Sequence, residues 1–126
     1  MYATPAEACA DPAVDAVFVL TNLETHFEYT KLALENGKHV LVEKPVGVSV
    51  GEIEQMKKAA EAKGLVCMPG HNYVYEAGMV RTKELAAGGD LGTIVSAYVM
   101  YNIHHPEEVA KRYPGVVRQI LTHHSY

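Results

Sequence analysis

The chain has only two cysteines in 126 residues, Cys9 and Cys67, and this scarcity excludes a disulfide-stapled scaffold of the secreted kind. Cys67 falls in a stretch that reads as a buried strand, so a reducing compartment is expected. No apolar run approaches the roughly twenty residues that span a bilayer, and no signal-peptide pattern opens the chain. A membrane partner is therefore not expected, and the cytoplasm is the default location. An excess of positive charge is missing as well. Eleven basic residues face 15 acidic ones, a net charge of -4 with both signs interspersed, which leaves no footprint for nucleic acid. Metal ligands at an established spacing are also lacking. His104-His105 and His123-His124 are adjacent pairs that point apart on a strand or helix, and neither cysteine nor carboxylate completes them, so no metal is expected. Finally, no glycine-rich phosphate turn of the G-x-G-x-x-G kind occurs anywhere.

What is present is a regular alternation. Thr4-Pro5-Ala6-Glu7 places a capping threonine, a first-turn proline and a glutamate in the order that opens a helix, which Asp11-Pro12 ends. Asp15 to Leu20, DAVFVL, reads as a buried strand rich in branched residues. Leu23 to Asn36 carries apolar residues at helical spacing, and Gly37 stands where a left-handed cap is wanted. His39 to Glu43 is the next strand. Ser49 with Glu52 makes a capping box for a helix through Lys63, which Gly64 closes before a third strand at Leu65 to Met68. Strand, helix, strand, helix, strand with short links predicts parallel pairing, so all three strands end on one edge.

That edge gathers Thr21-Asn22, Glu43-Lys44-Pro45 and Pro69-Gly70-His71. In open α/β sheets ligands bind at the carboxyl ends of strands, which makes Lys44 the first candidate for chemistry. Proline biases the residue before it to an extended conformation and can adopt a cis bond, so Pro45 helps to fix where Lys44 leaves the sheet. Beyond the third strand the pattern changes. A helix is expected over roughly Glu76 to Ala87, then a turn through Asp90-Leu91-Gly92. Thr93 to Ile103 alternates with period two and predicts a half-exposed strand of another, antiparallel sheet. Gly115 to Tyr126 has helical spacing. The domains are accordingly placed at 1–70 and 71–126.

Three stretches together carry a resemblance. Thr21-Asn22-Leu23-Glu24-Thr25-His26, the run Asn36-Gly37-Lys38-His39-Val40-Leu41-Val42-Glu43-Lys44-Pro45 and the later Gly89-Asp90-Leu91-Gly92 look like the Gfo/Idh/MocA oxidoreductases, the family of glucose-fructose oxidoreductase and inositol dehydrogenase. The glycine-lysine-histidine strand closing in Glu-Lys-Pro is highly specific; the Gly-x-Leu-Gly turn is weak alone. The resemblance implies an α/β fold: the rear part of a Rossmann-type parallel sheet (β-α-β-α-β) followed by the start of an α+β substrate domain. It implies NAD or NADP as cofactor, a sugar, cyclitol or related polyol as substrate, and homo-oligomers among relatives.

Carried over residue by residue, the resemblance makes Lys44 and His123 catalytic. It lays Thr21, Asn22, Leu23 and Lys44 along the cofactor and turns Lys44, Gln119 and His123 to substrate; beside it, Glu43 and His26 are placed with the cofactor group, Glu43 as the residue that orients Lys44, and His71 and Asn72 line the pocket because they follow the third strand. The family commonly has an aspartate four residues before the late histidine, where this chain has Gln119. A glutamine orients a ligand by hydrogen bonds but does not stabilise an imidazolium as a carboxylate does. His124 takes the role if the register slips by one, and a packed histidine on an apolar helix face is the plainer reading of either.

Length constrains all of this. The pattern assigns the 126 residues to the rear of one domain and the front of another, which reads as a fragment of an NAD(P)-dependent oxidoreductase, itself expected to be inactive and to hold dinucleotide weakly. Two alternatives stand beside it: a non-catalytic binding or assembly module that pairs through an open sheet edge, and a glycoside hydrolase that retains its nicotinamide cofactor.

Overall fold

A computed structural model describes residues 1–102, 104, 106–112 and 121. The chain divides into two units, Met1–Gly70 and His71–Tyr126. The first unit runs α1 (Pro5–Ala10), β1 (Ala16–Val19), α2 (Leu23–Glu35), β2 (His39–Val42), α3 (Val50–Ala62) and β3 (Cys67–Pro69). Its sheet is parallel in the order β1-β2-β3, with Val19 opposite Val42 and Val42 opposite Pro69. All three strands therefore finish on the same edge.

Local chemistry explains most of the boundaries. Thr4 accepts the Glu7 amide to start α1, and Ser49 accepts the Glu52 amide to start α3. Helix α2 ends in a Schellman closure: the Gly37 amide bonds to the Leu34 carbonyl and the Lys38 amide to the Ala33 carbonyl, with Gly37 at φ 76°, a backbone state that costs an L side chain. The same closure at the end of α3 draws the Leu65 amide back to the Ala60 carbonyl at 2.9 Å. Leu65 thus caps a helix instead of entering β3, which starts later than the branched residues suggest. Two lysines supply further caps. Lys38 donates to the Asp11 carbonyl at 2.8 Å and Lys63 to the Glu35 carbonyl at 2.6 Å, each satisfying a carbonyl at or just beyond a helix end.

One face of the sheet carries the core. Val19, Val40 and Val42 pack with Ala33 and Leu34 of α2, Met56 and Ala60 of α3, and Cys9 of α1. Burial pushes the thiols of Cys9 and Cys67 above their ordinary value, which favours the protonated form of both. The opposite row is Phe18, Leu41 and Met68, adjacent in register, with Phe18 66% exposed. The expectation of a fully buried β1 is therefore corrected. Helices cover one side of the strand, so its branched residues alternate between core and open face.

Within α2 the fully buried Thr30 has a hydroxyl with no hydrogen-bond partner among the described residues. An unpaired buried hydroxyl destabilises, and valine has nearly the same shape. Thr30→Val is expected to raise the stability of the Met1–Gly70 unit by about 1 kcal/mol, read as a higher urea midpoint. A lowered midpoint would show that the hydroxyl is satisfied.

The second unit contains a 3-10 helix at Asn72–Tyr75, α4 at Ala77–Gly88 and a short α5 at Glu107–Arg112. Of the strand expected over Thr93 to Ile103, residues 93–102 take no strand conformation and are exposed, and Ile103 lies outside the described residues. Period-two alternation specifies which side of a strand faces a core, but a strand exists only against a partner. The helix expected over Gly115 to Tyr126 lies, except for Leu121, outside the described residues.

Candidate functional site

The carboxyl ends of the strands are laced together through backbone. The Glu43 amide donates to the Val19 carbonyl at 2.9 Å, joining the ends of β1 and β2, and the Gly70 amide donates to the Val42 carbonyl at 2.7 Å, joining β2 to β3. Gly70 sits so close that a Cβ there would meet the Glu43 carboxylate oxygen at 3.0 Å and the Val42 carbonyl oxygen at 3.3 Å. A side chain there would push these neighbours back by a few tenths of an ångström, so glycine suits the close approach of the two turns.

Lys44 stands at the centre of this arrangement, half-buried, and is joined to the buried Pro45 by a cis peptide bond. Both sides of its turn are anchored. Downstream, the Glu52 carboxylate accepts the Val48 amide at 2.8 Å, one residue before the Ser49 N-cap, while Ser49 accepts the Glu52 amide. Upstream, His26 Nδ1 lies 2.8 Å from the Pro45 carbonyl oxygen while His26 Nε2 lies 2.9 Å from that of Thr21. The imidazole is 1% exposed, so neither ring nitrogen is left to meet a ligand.

The turn after β1 opens α2. The hydroxyls of Thr21 and Thr25 lie 2.8 Å apart, and Thr25 donates to the Asn22 carbonyl at 2.8 Å. Asn22 is the N-cap residue but makes no side-chain cap bond, and its amide is exposed at the edge. Leu23 is buried in the first turn of α2 and packs inward. Thr21, Asn22, Glu43, Lys44 and Gly70 therefore share one edge, whereas the side chains of Leu23 and His26 support it from below. His71 follows Gly70 directly and caps the 3-10 helix that Asn72 begins in the second unit. Gln119 and His123 lie outside the described residues. Among the described residues no group of three or more His, Cys, Asp or Glu side chains is placed to hold a metal, and no helix is long and apolar enough to cross a membrane.

Sequence reasoning had no signal for the double contact of His26, because neither carbonyl partner is marked by side-chain chemistry. The closeness of Gly70 to Glu43 was equally hidden, since it depends on the register between β2 and β3.

Comparison with known proteins agrees with this geometry. Residues 1–71 match the model of an oxidoreductase family with an NAD-binding Rossmann fold. The chain is 35% identical over 105 residues to a scyllo-inositol 2-dehydrogenase (NADP+) of Bacillus subtilis, covering 83% of this chain and 29% of the relative. It is 39% identical over 93 residues to a D-xylose 1-dehydrogenase (NADP+) of Hypocrea jecorina, covering 74% of this chain and 24% of the relative. The crystal structure of an NAD-binding oxidoreductase from Klebsiella pneumoniae superposes with a TM-score of 0.69 at 31% identity, over 72% of this chain and 24% of that one. The chain thus spans less than a third of the length of these relatives. A parallel sheet whose carboxyl edge presents Glu-Lys-Pro, together with the family match across the whole first unit, establishes that this chain belongs to the Gfo/Idh/MocA family of NAD-binding oxidoreductases.

Proposed function

We propose that the chain contributes the lysine-bearing half of a site in which hydride passes between NAD or NADP and a carbon of a sugar, cyclitol or related polyol. The observation that carries this reading is the placement of Lys44 on a turn anchored from three sides at the carboxyl edge of the sheet. An ammonium there donates to a substrate hydroxyl, lowers the energy of the developing alkoxide and orients the carbon that reacts. By the family resemblance alone, His123 is the group assigned to take the hydroxyl proton in the complete enzyme, with Gln119 as a substrate contact. When bound, the nicotinamide supplies the hydride acceptor or donor.

The residues present fit one part of a dinucleotide. The exposed edge residues Thr21 and Asn22, at the start of the 13-residue α2, suit the ribose and nicotinamide side, with Glu43 steadying the turn that bears Lys44. The sequence has no G-x-G-x-x-G to cradle the pyrophosphate, and a cofactor is held chiefly through that cradle. The 126-residue chain is therefore expected to show no saturable quenching of NADH or NADPH fluorescence at micromolar concentrations. Saturation there would overturn this division of the site. The activity itself is tested by exchanging the matching segment of the Bacillus scyllo-inositol 2-dehydrogenase for this chain. NADP+-dependent oxidation in the chimera supports the reading, and a folded but inactive chimera removes it.

A second reading has one observation in its favour. Strand β1 is one of the two edge strands of the described sheet, and Phe18 and Leu20 are each 66% exposed, as in a module that assembles with another chain. Self-association of the isolated chain in sedimentation would favour it. Assembly into a homo-oligomer and a cytoplasmic location are part of the main proposal, in keeping with a small-molecule substrate and a net charge of -4.

A further inference from the structure

We infer that His26 is a positioning residue: it sets the location of Lys44 by tying the turn after β2 to the turn after β1. This rests on the reading that Lys44 is the working group of the site. The geometry is specific. His26 belongs to the first half of α2, and its ring reaches backbone oxygens from two directions, Nδ1 to Pro45, 19 residues away, and Nε2 to Thr21. A carbonyl oxygen only accepts, so each short contact is favourable when the facing nitrogen carries a hydrogen. A neutral ring donates to one of the two turns and a doubly protonated ring to both. The hydrogen on Nδ1 is the one that holds Pro45, and in either state the imidazole is the only side chain within hydrogen-bonding distance of both turns among the described residues.

Burial makes this a strong constraint. With the ring 1% exposed and Pro45 buried, water does not replace a lost bond, so removing the donor leaves a buried carbonyl unpaired. The Pro45 carbonyl belongs to the residue immediately after Lys44. Releasing it leaves the lysine turn held only by the Glu43 amide on Val19, before Lys44, and by the more distant Val48 amide on Glu52, after it. The inference differs from a cofactor contact, which would need an exposed nitrogen, and from plain packing, which would be satisfied by any side chain of similar volume.

Two conservative replacements separate these roles. The amide nitrogen of asparagine overlies imidazole Nδ1, and that of glutamine reaches the place of Nε2. His26→Asn therefore keeps the bond to Pro45, while His26→Gln keeps only the bond to Thr21. The measured quantity is competitive acetylation of Lys44 relative to the 70%-exposed Lys57 in the 126-residue chain, followed by mass spectrometry, with circular dichroism to verify folding. Labelling of Lys44 is expected to rise about fivefold in His26→Gln, the population shift that one lost hydrogen bond gives, and to stay near the wild-type value in His26→Asn. Equal behaviour of the two variants, or protection in the larger glutamine alone, would overturn the inference in favour of packing. No cofactor enters the measurement. A folded chimera that fails to oxidise any polyol would refute the proposed activity and leave this result readable.

Discussion

Lys44→Met in the scyllo-inositol dehydrogenase chimera is expected to lower kcat by about 10²- to 10⁴-fold, the usual loss when a positioned proton-transfer or charge-stabilising group is removed. Methionine keeps the length and apolar stem of the side chain and removes only the ammonium. Because the bonds that hold the turn come from the backbone of Glu43, Pro45 and Val48, the substitution should leave the urea midpoint nearly unchanged. The separation of rate from stability is the informative part. A variant that keeps more than about a tenth of the wild-type kcat would show that Lys44 is not the group that polarises substrate. Lys44→Arg is a stringent companion. It preserves charge but replaces a compact ammonium by a broad planar fork, and a rate close to that of Lys44→Met would show that placement matters as well as sign.

Leu34→Ala is expected to destabilise the Met1–Gly70 unit by about 2–5 kcal/mol, the range for truncating a fully buried leucine. Leu34 has 0% exposure and joins Val19, Val40 and Val42 of the sheet to Met56 of α3. A domain of this size has only a few kcal/mol of net stability, so the loss is comparable with the whole. The expected result is a urea transition displaced to far lower concentration or absent. Leu34→Met, which conserves volume, should cost less than about 1.5 kcal/mol. Equal midpoints for Leu34→Ala and wild type would mean that α2 does not pack on the sheet as described.

Much of the first unit was legible because its signals are local. Thr4-Pro5, the Ser49/Glu52 box and Gly37 each mark a helix end through chemistry within a few residues, and the structure uses each in that way. What was not legible depended on distance in sequence. The start of β3 moved because Leu65 is drawn to Ala60 by the helix closure, a competition that branched-residue content does not reveal. The exposure of Phe18 depended on which face of the sheet receives helices. The alternation over 93–102 was real, yet a strand needs a partner that periodicity does not supply. In the candidate site, Lys44 was visible through its proline, whereas the role of His26 was hidden because its partners are two unmarked carbonyls.

The anchoring of the lysine turn through main-chain atoms has an evolutionary consequence. A replacement at position 44 changes the chemistry offered at the edge without disturbing what holds the edge in place. Descendants of such a scaffold are free to trial different reactive groups there, each presented in the same place from its first appearance, so new activities arise by single steps and the framework outlives them.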